Sequence, residues 1–212
     1  YDPVHPFFNR DPRLKNTVIY SGLDWVGRNN VPRVFNTLDK TLPNGSSNKD
    51  YYTAADNASH TGMLWAKYLY PSQGQYSAAM NDDALCPIIF RYAEILLIYA
   101  EAHTHTAGFD SQTQAALNEL RDRCGMPDVP TSLSKEEGLE LIANERRIEL
   151  AAEGFRSDDM YRYSDEYWNK HINNVEIAAP DGDNIITMSW NPRMHLRPVS
   201  YTHLTLPTNS LV

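Results

Sequence analysis

The densest group of ionisable side chains lies in NERRIELAAEGFRSDDMYRY, Asn144 to Tyr163. There Glu145, Arg146, Arg147, Glu149, Glu153, Arg156, Asp158 and Asp159 are set among apolar residues. Two carboxylates at close range are what a glycosidase needs, about 5–10 Å apart across a cleft. Glu145 and Glu149, one helical turn apart, are near that spacing. The neighbouring arginines argue against hydrolysis, because they would keep both carboxylates ionised when one must stay protonated as the acid.

The helix that carries these groups gives a second argument. At 100° per residue, Leu141, Ile148 and Ala152 share one side with Glu145, while Leu139, Ala143 and Leu150 share the opposite side with Arg146. Such a helix is sandwiched and offers no cleft to a sugar. In the earlier run FRYAEILLIYAEA, Glu94 and Glu101 lie seven residues apart on one stripe, and Arg91 lies one turn from Glu94. A charge in a dry interior costs several kcal/mol unless it is paired. Glu94 or Glu101 is therefore expected to meet Arg146, Arg147 or Arg156, since a guanidinium fork matches a carboxylate. Arg91, Glu94, Glu101, Glu145, Arg146, Arg147, Glu149, Arg156 and Asp159 are assigned to structural ion pairs, and no residue is assigned to catalysis.

Four helices must position these charges. The first is expected over about Pro87–Thr106, apolar almost all round and so buried on most sides, stopping at Gly108. The second spans about Gln112–Cys124, with a capping box at Ser111 and Gln114 and a stop at Gly125–Pro127. The third starts at the box Ser134/Glu137 and ends at Gly154; the fourth runs from Asp158 to about Lys170. Two antiparallel helical hairpins result. Residues 1–85 are rich in turn signals and unperiodic aromatics, with short strands expected at Asn16–Tyr20 and a strand or short helix at Met63–Tyr70. Residues 171–199 return to loop, with a turn at Ala179–Asn184 and a strand at Ile185–Trp190. The fold class is mainly α: tetratricopeptide-like helix pairs, a large irregular region and a few short strands.

The totals exclude several classes. A chain of 212 residues with net charge −8 lacks the basic face that nucleic acid requires. No run reaches the ~20 apolar residues of a membrane span. Cys86 and Cys124 show no metal spacing and are expected as free buried thiols, with a disulfide between them as the alternative. His103 and His105 sit about 200° apart on a helix and cannot share a metal, and DGDN (Asp181–Asn184) is too short for a calcium loop. No cofactor is implied.

In order, the motifs resemble the C-terminal part of the SusD/RagB family. NRDPRL (Asn9–Leu14) is similar to its RDPR segment and TGMLWAKYL (Thr61–Leu69) to a stretch with Thr-Gly and a later Lys-Tyr. FRYAEILLIYAEA (Phe90–Ala102) resembles its R-x-A-E helix, and ALNELRDRCGMP (Ala116–Pro127) its A-x-N-x-x-R-x-R-x-G helix end. IANERRIELAAEGFRSDDMYRY (Ile142–Tyr163) resembles the signature E-R-R-x-E-L-x-x-E-G-x-R-x-x-D-x-x-R, departing from it at Ser157 and Asp158, where aromatic or apolar residues are usual. The resemblance covers roughly residues 1–198. It implies a non-catalytic, lipid-anchored protein of the outer-membrane surface that captures glycans, or in some relatives peptides, for a TonB-dependent SusC-like transporter. It also implies a longer protein, with a lipidated Cys and further helices ahead of this region, which would leave apolar surface on the first helix unmet. From about Ser200 the tail SYTHLTLPTNSLV departs from the family's ending, resembles translated adapter read-through, and is expected to be non-native.

Sugar rings pack their C–H faces on aromatic rings and offer hydroxyls to polar groups. Trp25, with Asp24, Arg28, Asn29 and Asn30 nearby, fits that chemistry, as does NKDYY (Asn48–Tyr52) with Tyr51 and Tyr52. Trp65 is a weaker candidate, since alternation in WAKYLY turns Trp65, Lys67 and Leu69 to one face and favours packing. The expected function is glycan binding for import; the alternatives are peptide binding on the same fold or a helical-repeat interaction scaffold.

Overall fold

The computed structural model describes residues 7–26, 31–53, 58–69 and 88–195. Cys86, Arg28, Asn29, Asn30 and the tail from Ser200 lie outside the described residues. Among the described residues the chain is mainly helical, with three small two-stranded sheets. A short helix α1 (Leu14–Thr17) leads into β1 (Val18–Ile19), which pairs antiparallel with β4 (Leu64–Trp65) in the register Val18 opposite Trp65. β2 (Asp24–Val26) and β3 (Pro32–Val34) form a second antiparallel pair, with Trp25 opposite Arg33. Then follow α2 (Tyr92–Ala107), α3 (Ser111–Arg123), α4 (Lys135–Glu149), α5 (Phe155–Arg162) and α6 (Asp165–His171). The antiparallel pair β5 (Glu176–Ala178) and β6 (Asn184–Thr187) and a 3-10 turn at Pro192–His195 complete the order.

The main core sits between α2, α3 and α4. Ala93, Leu96, Leu97 and Ala100 of α2 meet Ala116, Leu117 and Leu120 of α3 and Ile142 of α4, with Val129 and Leu150 closing the ends. Thr104 and Thr113, both fully buried, share a hydrogen bond at 3.2 Å, and Thr104 Oγ1 donates to Ala100 O. Phe109 packs over Gly138 so closely that a Cβ there would stand 2.4 Å from its ring. A second, smaller core of Ile19, Phe35 and Ala66 holds the loop-rich half together, with Trp25 and Leu69 packed against it.

Several expectations are corrected. The first helix begins at Tyr92, because Arg91 is extended (φ −152°), and it is not buried on most sides. Tyr92, Ile95, Ile98 and Tyr99 form a second apolar stripe that is left largely exposed among the described residues. The second helix is capped by Asp110, whose carboxylate accepts from Gln112 N and Thr113 N, in place of a box at Ser111 and Gln114. The box at Ser134 and Glu137 is present. The third helix ends at Glu149 and continues as a turn in which Ala152 takes a left-handed φ of 63°. The single fourth helix is two: Tyr163 leaves helical geometry, and Ser164 accepts from Tyr167 N to start α6 afresh. Cys124 is a free thiol and only half-buried, with Sγ 3.2 Å from Arg121 O.

Candidate functional site

Glu145 and Glu149 project from one side of α4 and Glu153 follows on the next turn, so three carboxylates spaced by four residues form a column. Five cations converge on it. Arg13 Nη1 lies 2.6 Å from Glu145 Oε1 and 2.9 Å from Glu149 Oε2. Arg121 binds the other oxygen of Glu145 (2.9 Å), and Arg123 binds Glu149 (2.6 Å). Arg91 contacts Glu149 at 2.6 Å and forks onto Glu153 with two bonds of 2.8 Å. Lys67 meets Glu153 at 2.5 Å.

The cations also cap the helix. The last carbonyls of a helix have no partner within it, and cations there are favoured by its dipole. Arg91 Nη2 and Lys67 Nζ both donate to Glu149 O, at 2.7 and 2.9 Å, and Lys67 donates again to Ala151 O at 2.9 Å. Burial pushes the Glu149 carboxyl up, yet hydrogen bonds from Arg13 and Arg91 hold it below the usual carboxylate range. Glu153 behaves likewise under Arg91 and Lys67. Asp11 is held low by its hydrogen bond from Arg13. Burial opposes the charge on Arg13, but Asp11, Glu149 and Glu145 raise its pKa above the ordinary range. A carboxylate held ionised in this way cannot act as the protonated acid of a glycosidase.

On the opposite side of α4, buried Arg146 forks onto Asp159 of α5, with Nη2 to Oδ1 at 2.8 Å and Nε to Oδ2 at 3.0 Å. Arg162 binds Asp159 at 2.8 Å and Glu101 of α2 at 2.7 Å, and Arg146 stands 3.9 Å from Glu101. Of the residues singled out from sequence, the structure thus gathers Arg91, Glu145 and Glu149 in one cluster and Glu101, Arg146 and Asp159 in another. Glu94 takes no ion pair among the described residues, Arg147 bonds to Asn144 (2.7 Å), and Arg156 lies over the Tyr167 ring (5.8 Å). These three do not join the expected pairings. Arg13, Lys67, Arg121, Arg123 and Arg162 were missed. The four-residue recurrence of Glu145, Glu149 and Glu153 signals a need for more cations than α2 supplies, but nothing local marks Arg13 or Lys67 as the donors.

The ligand candidates fall in different settings. Trp25 is half-buried against the second core. Tyr51 and Tyr52 form a tilted ring pair at 4.7 Å, and Tyr52 Oη donates to Asp181, tying their loop to the Ala179–Asn184 turn. Buried Asn48 shapes that loop by donating to Asn36 O (2.9 Å) and Asp39 O (2.7 Å). Trp65 is 59% exposed, contrary to the packing its alternation predicts. Its strand is only two residues long, and the residue turned inward is Ala66, which fills the small core. Trp65 lines an open pocket of about 810 Å³ between the Asn9–Val18 segment and the end of α4. Among the described residues no cluster of His, Cys, Asp and Glu could hold a metal, and no helix is long and apolar enough to cross a membrane.

These features define a helical scaffold, stapled by buried ion pairs, that supports irregular loops bearing aromatic residues. The model of the SusD family matches residues 1–208, and the chain belongs to that family. A SusD-like protein of Formosa agariphila is 36% identical over 126 residues, which is 54% of this chain and 23% of that protein. The crystal structure of a SusD-like protein from Bacteroides fragilis is similar with a TM-score of 0.71 at 25% identity, covering 93% of this chain and 37% of that one. A SusD homologue from Bacteroides thetaiotaomicron shares the fold at 23% identity and a TM-score of 0.52, over 72% of this chain and 30% of its own. The chain therefore spans about a quarter to two fifths of the length of these relatives.

Proposed function

We propose that this protein binds oligosaccharides at the cell surface, without cleaving them, for import through a partner TonB-dependent transporter of the outer membrane. Membership of the SusD family is the observation that carries this reading. The saturation of Glu145 and Glu149 by arginines supports it, since this closely spaced carboxylate pair is committed to structure. The proposed contacts are Trp65, Tyr51, Tyr52 and Trp25, with Arg28 and Asn29, which follow Trp25 closely in the sequence. An exposed indole suits the C–H face of a pyranose, and tyrosines add both a face and a hydroxyl.

Calorimetric titration with a panel of neutral and acidic oligosaccharides tests the reading, with product release followed by chromatography. Saturable binding with no new reducing ends is the expected result, weakened by Trp65→Ala or by Tyr51→Ala with Tyr52→Ala. Binding of peptides in preference to every glycan, or binding indifferent to all these substitutions, would overturn it.

A further inference from the structure

The Tyr51–Tyr52 pair belongs to no strand or helix, yet a hydrogen bond across 129 positions ties it down: Tyr52 Oη donates to the Asp181 carboxylate. The chain closes around that bond. Tyr52 N donates to Thr37 O at 3.2 Å, and buried Thr37 donates through Oγ1 to Gly62 O at 3.2 Å. Gly62, at φ 69°, lies against Pro180, the residue before Asp181. A Cβ at Gly62 would stand 2.8 Å from Pro180 Cγ and 2.9 Å from Thr37 Oγ1. Asp181 is held by its own turn, since its Oδ1 accepts from Asp183 N (3.0 Å) and Ala179 N donates to Asp183 O (2.8 Å). Thr37, Tyr52, Gly62 and Pro180–Asp181 thus form one closed circuit, in which the Tyr52–Asp181 link is exposed to solvent.

We infer, resting on the glycan-binding reading above, that Asp181 is a positioning residue of the ligand site, setting the angle at which Tyr52, and with it Tyr51, meets a sugar. A tyrosine on a loop surrenders rotamer freedom when a ligand packs on it, so fixing the ring beforehand raises affinity. Asp181 can do this because the two ends of the bond are held independently, Tyr52 by its backbone bond to Thr37 and Asp181 by its turn. The two tyrosine rings stand 4.7 Å apart and tilted by 57°, so turning Tyr52 displaces the surface that both offer. The Asp181 carboxylate, with the Tyr51 hydroxyl, pushes the Tyr52 phenol above its ordinary pKa, and the bond from Tyr52 holds Asp181 below the usual carboxylate range. At neutral pH the phenol proton is therefore committed to Asp181, which leaves the ring face and an oxygen lone pair of Tyr52 for a ligand. Because the bond is exposed, its loss costs the fold little, and its effect should appear in binding.

The test titrates the full chain with maltohexaose, laminarihexaose, xylohexaose, a galacturonic acid hexamer and, as a peptide, tetraglutamate. The hexasaccharide bound most tightly is then titrated into the variants. Asp181→Ala should weaken its binding at least about fivefold, and Tyr52→Phe by a similar factor, with melting temperatures within about 2 °C of the parent. Asp181→Asn keeps an oxygen that can accept from Tyr52 Oη and should restore most of the affinity lost in the alanine variant. Combined with Tyr52→Phe, Asp181→Ala should weaken binding no further, as expected of two groups that act through one bond. Independent losses in that double variant, or a melting temperature lowered beyond that range, overturn the inference. Parental affinity in Asp181→Ala also overturns it, as does binding that Trp65→Ala abolishes while the tyrosine and Asp181 variants keep it; all of these leave the glycan reading standing. Binding of tetraglutamate in place of every hexasaccharide, or binding of no probe at all, overturns both.

Discussion

Arg91 Nη1 lies 2.6 Å from Glu149 Oε1, so the residue that precedes α2 is fastened to the residue that ends α4. The same guanidinium holds the Glu149 carbonyl (2.7 Å) and both oxygens of Glu153 (2.8 Å each). Glu149 is buried, so removing Arg91 leaves its carboxylate short of one partner. Arg91→Ala should cost about 3–5 kcal/mol of stability, the usual result of breaking a buried pair from one side. Urea denaturation measures it, with Arg147→Ala as the comparator. That exposed site should change stability by no more than about 0.5 kcal/mol.

The same cluster sets the response to acid. Glu149, Glu153 and Asp11 all have pKa values below their ordinary ones, so the folded state binds fewer protons than the unfolded chain. Their contribution is complete above the ordinary glutamate value of 4.5 and is lost as pH falls through the lower folded values. The melting temperature should therefore be flat from neutral pH to about 5 and fall below it. The fall should be shallower in Glu149→Gln, which starts less stable. A wild-type midpoint independent of pH between 5 and 3 would remove these carboxylates from the account.

Much of the helical half was legible because its signals are local. Ser134 and Glu137 are three residues apart and cap α4 as their spacing requires. Opposite faces for Glu145 and Arg146 also follow from the helical period, and they meet different partners. What sequence reasoning missed is set by distance along the chain. Arg13 reaches Glu149 across 136 positions, and Lys67 reaches the Glu149 carbonyl across 82. Neither carries a periodic mark. Asp110 displaced Ser111 as the cap because its carboxylate can accept two amides at once. In the loop-rich half the aromatics lack a period altogether, so the exposure of Trp65 and the anchoring of Tyr52 by Asp181 depend on contacts that spacing cannot express.

Gly138 offers a packing test in the middle of that legible region. Alanine is preferred to glycine in a helix interior by about 1 kcal/mol, so Gly138→Ala would stabilise an isolated α4. In the folded chain its Cβ would stand 2.4 Å from Phe109 Cδ2 and 2.7 Å from Cγ, with Phe109 packed on the main core. The clash should prevail and destabilise the protein by about 1–3 kcal/mol. Adding Phe109→Ala should abolish most of the penalty for the glycine substitution, a coupling read from a double-mutant cycle. Additive losses would mean that the ring moves aside at little cost.

Glu145→Gln separates a structural carboxylate from a catalytic one. Glu145 is 2% exposed and receives Arg13 on one oxygen (2.6 Å) and Arg121 on the other (2.9 Å). The amide keeps the shape, but it removes the charge and turns a donor toward one of two guanidiniums, both of which can only donate. Arg121 would retain its bond to Pro127 O (2.7 Å), whereas Arg13 would keep Asp11 and Glu149 but lose a third partner. The variant should therefore unfold at lower urea, by about 3–5 kcal/mol on the scale of other broken buried pairs. Below its melting temperature it should bind oligosaccharide with the affinity of the parent chain, and neither protein should release product. A glycosidase would show the converse: near-native stability, and a turnover present in the parent that the amide abolishes. Measuring stability, affinity and product release on the same two preparations decides between the two roles.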